Sequence, residues 1–212
     1  MNGGRDAEVA LAGRIAAAAA ALRRGGVIAY PTETFYGLGA LASDGAAVAR
    51  LVSAKGRADD KPLPLLGADL AQLTQVAVFS PLARRLAAAF WPGPLTLVLP
   101  ARPGLHAAIT GGGRTVGVRV TSSGVAAALA AAAGGALVAT SANPPGGPPP
   151  TTAAGLDPGL RARLDLVLDG GATPGGAPST VVAVDDGRLT LLRPGAVPIE
   201  ALQAIAAGTE PS

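Results

Sequence analysis

Residues Val27-Ile28-Ala29-Tyr30-Pro31-Thr32-Glu33-Thr34-Phe35-Tyr36-Gly37-Leu38-Gly39 carry the most structural information in this 212-residue chain. The apolar run 27–30 reads as a strand that ends at a proline. It passes into a polar and aromatic segment closed by two glycines, which permit unusual backbone angles. Upstream, the Ala-rich stretch 7–24 carries Val9, Leu11, Ile15 and Leu22 and stops at Gly25-Gly26, the pattern of a helix with a glycine stop. Downstream, 46–54 reads as a second helix and 62–66 as the next strand.

The same alternation continues. Ser80-Pro81 is a helix start, with a capping hydroxyl and a proline in the first turn, and that helix should stop at Trp91-Pro92-Gly93. Segments 95–99 and 116–120 read as strands separated by the turn at Gly111-Gly112-Gly113, 124–133 as a helix, and 136–140 as a strand leading to Ser141-Ala142-Asn143. Late in the chain 166–168 reads as a strand, and 181–184 pairs with 189–192 as a hairpin across Asp185-Asp186-Gly187. Alternating strands and helices followed by a hairpin imply an α/β fold with a mixed sheet. One domain is expected over 7–207, with 208–212 a short tail. The Pro-rich stretch 144–150 is expected to be a loop over a site and a candidate lid.

Composition excludes several chemistries. There is no cysteine, so disulfides, thiolate catalysis and thiolate metal sites are impossible, and a single histidine rules out a His-based metal cluster. No strongly apolar run is long enough to span a membrane, and the N-terminal stretch reads as an ordinary helix, so a cytoplasmic location is expected. The net charge of +3 favours an anionic partner but forms no basic tail, so contact with nucleic acid is permitted rather than demonstrated.

Both lysines of the chain, Lys55 and Lys61, flank Arg57 within seven residues, although arginine supplies the other strong positive charges. Two compact, hydrated point charges around one planar fork suggest a polyanion held from several directions; a solvated charged loop is the alternative. Glu33 sits just past a strand end among hydroxyls and aromatics, where ligand groups gather in open sheets or where a threonine-capped turn would also lie. Arg119 lies inside an apolar strand and needs either a carboxylate partner or an anionic ligand. Ser141, Asn143, Ser179 and Arg193 stand at segment ends, and His106 reads as a surface or packing residue. No Walker A loop, dinucleotide fingerprint or Ser/His/Asp grouping competes.

Taken together, Tyr30 to Gly39, Lys55-Gly56-Arg57, Lys61-Pro62-Leu63, Trp91-Pro92-Gly93-Pro94-Leu95-Thr96, Val118-Arg119, Ser141-Ala142-Asn143, Ser179-Thr180-Val181-Val182 and Leu192-Arg193-Pro194-Gly195 resemble the YrdC-like family, the threonylcarbamoyl-AMP synthases. The resemblance runs from about Gly26 to Gly195 and implies a YrdC/RibB-like twisted mixed sheet, flanked by helices, around a concave basic cavity. It implies a nucleotidyltransferase that forms threonylcarbamoyl-AMP and pyrophosphate from L-threonine, bicarbonate and ATP for threonylcarbamoyladenosine modification of tRNA.

On that resemblance Thr34, Arg119, Ser141 and Ser179 form the threonine site. Arg57, Lys61, Thr115, Asn143, Thr151 and Arg193 form the ATP site, and Lys55 and Arg57 stabilise charge during catalysis. Mg²⁺ is expected to be held through the ATP phosphates, with no metal ligand from the protein. Expected partners are tRNA or double-stranded RNA and a downstream threonylcarbamoyl-transferase complex. The chain resembles the short, single-domain form, and it departs from the family's pattern at Leu66, Thr121 and Pro145. The alternative reading is a non-catalytic module of the same fold that binds double-stranded RNA or tRNA.

Overall fold

The computed structural model describes residues 3–56, 61–185 and 187–208. The first half runs α1 (Gly3–Arg23), β1 (Ile28–Pro31), β2 (Tyr36–Gly39), α2 (Gly45–Lys55), β3 (Leu65–Gly67), α3 (Leu70–Thr74), α4 (Pro81–Phe90) and β4 (Leu95–Pro100). There follow α5 (Ala107–Thr110), β5 (Thr115–Val120), α6 (Gly124–Ala133), β6 (Leu137–Val138) and β7 (Thr140–Ser141). The chain continues with α7 (Pro158–Arg161), β8 (Leu166–Val167), β9 (Thr180–Asp185), β10 (Arg188–Arg193) and α8 (Ile199–Ala207).

Local chemistry sets the boundaries. Ser80 opens α4 by accepting a hydrogen bond from the Ala83 amide at 3.2 Å, and Asp44 opens α2 in the same way from Ala47 at 3.0 Å. α2 ends at Gly56, whose positive φ of 63° lets the chain turn away immediately after Lys55. His106 has a structural use: its Nδ1 accepts from the Ala108 amide at 3.1 Å and caps α5.

The strands form two sheets rather than one. Four strands lie in the order β7-β2-β1-β8 and six in the order β10-β9-β4-β5-β3-β6, and each sheet mixes parallel and antiparallel pairs. The segment expected as one strand at 136–140 is divided: β6 closes the larger sheet against β3, and β7 closes the smaller against β2. Strand period two then divides the core. Ala29, Leu65, Val118 and Val138 belong to a cluster with Leu51, Leu86 and Leu202. Ile28, Tyr30, Leu66 and Leu137 point to the opposite face, under Leu22 of α1 and Leu129 of α6.

Gly37 and Gly39 correct one expectation. Neither has a positive φ; both are ordinary strand residues of β2 paired with β1. Their need is for room, because a Cβ on Gly39 would stand 2.6 Å from the ring of Tyr30. That ring is fully buried and its hydroxyl donates to the Val138 carbonyl at 3.0 Å, so it ties the smaller sheet to the larger and has nowhere to retreat. Gly39→Ala is therefore expected to lower unfolding stability by about 2 kcal/mol through overpacking. Gly124→Ala, where an added methyl meets nothing, should leave it unchanged or slightly raised. Urea unfolding of the two variants beside the parent checks both, and equal effects would remove Tyr30 as the cause.

Candidate active site

Along β5 the sequence TVGVRV alternates cleanly. Val116, Val118 and Val120 are buried in the core, which leaves Thr115, Gly117 and Arg119 on the other face. Arg119 stands in register with Leu66 of β3, at the margin of the surface covered by α1 and α6. Beyond it the same face of the sheet is less covered: Val98 of β4 and Val181 and Ala183 of β9 are each partly exposed. An added Cβ on Gly117 would meet Thr96 at 3.3 Å, so this glycine keeps the sheet surface low beside Thr96.

Arg119 is 12% exposed and meets an equally buried Glu33, with 2.6 Å between Nη1 and Oε1. No N–H is aligned on that oxygen, so the contact is an ion pair without a formed hydrogen bond. The other carboxylate oxygen accepts from the Thr121 hydroxyl at 2.5 Å. Glu33 lies in the turn between β1 and β2, which is shaped by Thr32: its hydroxyl donates to the Phe35 carbonyl at 2.7 Å and lies 3.4 Å from that of Thr34. Tyr30 is packed beside this pair, and burial pushes its hydroxyl well above the usual phenol range against the opposing charge of Arg119.

A second group converges from β4, the residue before β9, and β10. The Thr96 and Ser179 hydroxyls are 2.8 Å apart and buried, and Arg193 donates to the Ser179 carbonyl at 2.7 Å and to its hydroxyl at 3.2 Å. Although Arg193 is an exposed residue as a whole, its pKa lies below the ordinary arginine value, first through burial and then through the charge of Arg119. The positive charge of Arg119 is thus felt at Arg193.

The third group is Lys55, 9% exposed at the end of α2, whose Nζ donates to the Ser141 carbonyl at 2.5 Å and lies 3.3 Å from its hydroxyl. Ser141 is held opposite Gly37 by the β2–β7 pairing, which places it beside the strand that follows the Glu33 turn. Asn143 donates to the carbonyls of Pro144 at 2.9 Å and Gly147 at 2.6 Å, pinning the Pro-rich loop, while its own Oδ1 is buried without a partner. The Thr151 and Thr34 carbonyls accept from Thr173 at 2.8 Å and Gly175 at 2.7 Å, so segment 173–175 ties the two threonines' backbones together.

The structure thus gathers Thr34, Arg119, Ser179 and Arg193 around one sheet face, and sets Lys55, Ser141 and Asn143 together at the β7 end. Lys61, Thr115 and Thr151 are exposed, Thr115 on the Arg119 face at the opposite end of β5. Arg57 lies outside the described residues. Reading the sequence alone did not assign Thr96 or Thr121; the signal available for Thr121 was its departure from the expected pattern. A separate cleft of about 410 Å³ behind the turn, lined by Leu11, Ile15, Pro31, Thr32 and Val125 among others, carries no ionisable side chain.

Residues 20–195 match the model of the Sua5/YciO/YrdC family, described as telomere recombination, and the chain belongs to that family. It is 42% identical to the threonylcarbamoyl-AMP synthase of Pyrococcus abyssi over 91% of its own length and 57% of that protein. It is also 42% identical to that of Bacillus subtilis, over 91% of its length and 56% of the relative. The crystal structure of P. abyssi Sua5 complexed with L-threonine superposes with a TM-score of 0.82 at 40% identity, covering 92% of this chain and 58% of that one. The chain therefore spans under three-fifths of the length of these relatives.

Burial of the Arg119–Glu33 pair gives it a stability signature. Glu33→Ala leaves a buried guanidinium without its carboxylate and is expected to cost about 3 kcal/mol, whereas Glu33→Leu with Arg119→Met should cost about 1 kcal/mol or less. Urea unfolding of Glu33→Leu alone, Arg119→Met alone and the double variant measures the coupling, beside Glu33→Ala; additive losses would show that the two side chains do not stabilise each other.

Proposed function

We propose that this chain is an L-threonylcarbamoyladenylate synthase, joining L-threonine, bicarbonate and ATP and releasing pyrophosphate and water. The observation that carries the reading is Arg119, a guanidinium almost wholly withdrawn from water at the margin of a partly uncovered sheet face. Its like-charged neighbour is Arg193, and its counter-charge among the described residues is the single carboxylate of Glu33. The relatives' names and the threonine held by P. abyssi Sua5 support the amino acid as the ligand.

Arg119 receives the threonine carboxylate by bidentate donation, and the hydroxyls of Thr34, Ser141 and Ser179 orient the rest of the amino acid. Arg57, Lys61, Thr115, Asn143, Thr151 and Arg193 hold ATP. The amine of threonine attacks the carbon of bicarbonate-derived carbon dioxide, forming the N–C bond and losing a proton. A carbamate oxygen then attacks the α-phosphorus, and the bond to pyrophosphate breaks, so an adenylyl group is transferred. Positioning and charge neutralisation account for the catalysis, with Lys55 and Arg57 opposing the phosphate charge that develops.

Mg²⁺ enters this reading as an ion carried by the ATP phosphates and water. No helix among those residues is long and apolar enough to cross a membrane. The reading includes a cytoplasmic enzyme whose product passes to a tRNA-modifying threonylcarbamoyl-transferase.

Pyrophosphate release by the purified chain with ATP, Mg²⁺ and bicarbonate should depend on L-threonine and be much weaker with L-serine, glycine or no amino acid. Arg119→Ala should reduce kcat/KM for threonine by about 100-fold while ATP still binds. No release with any amino acid, alongside measurable ATP affinity and salt-sensitive RNA binding, would favour the RNA-binding module instead.

A further inference from the structure

Thr121 is 2% exposed and its hydroxyl makes two contacts, each with a definite sense. It donates to Glu33 Oε2 and accepts from the Ser123 amide at 3.1 Å, so the acceptor bond fixes where its proton points. A carboxylate pinned through one oxygen presents the other in one orientation, and here that other oxygen faces Arg119 at 2.6 Å without an aligned N–H. Among the described residues no other side chain shares Arg119 at this distance, and Leu66 beside it is fully buried and apolar. The Arg119 guanidinium is therefore held by one counter-charge, Glu33, while its donors remain uncommitted to that oxygen.

We propose that Thr121 is a positioning residue for amino-acid recognition: its hydroxyl fixes the Glu33 carboxylate, which in turn fixes the Arg119 guanidinium for the substrate carboxylate. Holding Arg119 through an unaligned ion pair restrains it without spending the N–H fork that a bidentate ligand uses. Valine at 121 keeps the shape and removes the proton, so Glu33 Oε2 becomes a buried oxygen without a donor and the carboxylate swings. Serine keeps the proton and loses only a methyl.

The inference rests on Arg119 being the carboxylate receptor, and the test separates the two claims. Calorimetric titration measures L-threonine and ATP affinity for the parent, Thr121→Val, Thr121→Ser and Arg119→Lys. Thr121→Val is expected to bind threonine about tenfold more weakly, with ATP affinity within about twofold of the parent, and Thr121→Ser to recover most of the loss. Should Thr121→Val not fold, Thr121→Ala carries the same expectation. Arg119→Lys, which lacks the fork, should lose at least about tenfold on threonine. If Arg119→Lys loses threonine but Thr121→Val binds like the parent, the positioning claim is overturned and the receptor stands. Equal loss in the serine and valine variants, or parallel loss of ATP, overturns it as well. Parent-like threonine binding by Arg119→Lys sinks the receptor reading and this inference with it.

Discussion

A guanidinium on an apolar strand is the constraint around which this structure is arranged. The alternation of β5 commits Val116, Val118 and Val120 to the core, so Arg119 has no choice of face. On that face a charge survives only with a counter-charge, because transferring an isolated ion from water costs several kcal/mol even after relaxation. Glu33 supplies it from a separate sheet, and the pairing requires the β1–β2 turn to approach β5 closely. Beside Arg119 on that face stands the fully buried Leu66, and Gly117 leaves room for Thr96.

That turn is held by its two tyrosines rather than by its own hydrogen bonds alone. Tyr30, at its start, passes over Gly37 and Gly39 and reaches the Val138 carbonyl in the larger sheet. Tyr36, at its end, donates to the Gly171 carbonyl at 2.7 Å, and burial raises its pKa against the opposing backbone donor of Gly170. Glu33 and Thr34 thus stand on a loop anchored at both ends in packed rings. Functional groups on such a loop inherit the precision of the core beneath it.

Much of this was legible in the sequence because the signals were local. The Ser80-Pro81 start, the helix at 124–133 and the late hairpin each depend on a few adjacent residues, and the structure places them where they were expected. The division of 136–140 between two sheets was not legible, since both halves read as one apolar run and pairing partners are set by tertiary approach. Gly37 and Gly39 looked like turn residues because glycine's commonest local use is a positive φ; their reason, a ring from another strand, lies outside the segment. The short helices α3, α5 and α7 carry too few residues for periodicity to register. Within the site, the sequence marked Arg119 as needing an anion or a carboxylate, and it offered Glu33 as one ionisable group among hydroxyls. That the two meet is a fact of register and sheet packing. Thr121 stood out only as a departure, and its hydroxyl proves to hold one oxygen of Glu33.

The distribution of charge separates the two lysines in a way their spacing did not reveal. Lys55 closes α2, where a cation is favoured by the helix dipole, and its stem is buried while its ammonium grips Ser141. Gly56 then turns the chain away, and Lys61 is exposed beyond it. One lysine is thus built in beside Ser141, and the other is exposed. Arg193 is likewise tied to a serine, through Ser179, although the residue as a whole is exposed. The charge of Arg119 adds to burial in lowering the pKa of Arg193, so further positive charge is disfavoured between them. Glu33 offsets part of that charge, and in the proposed reaction an anionic substrate would offset more, so that binding and charge neutralisation would coincide.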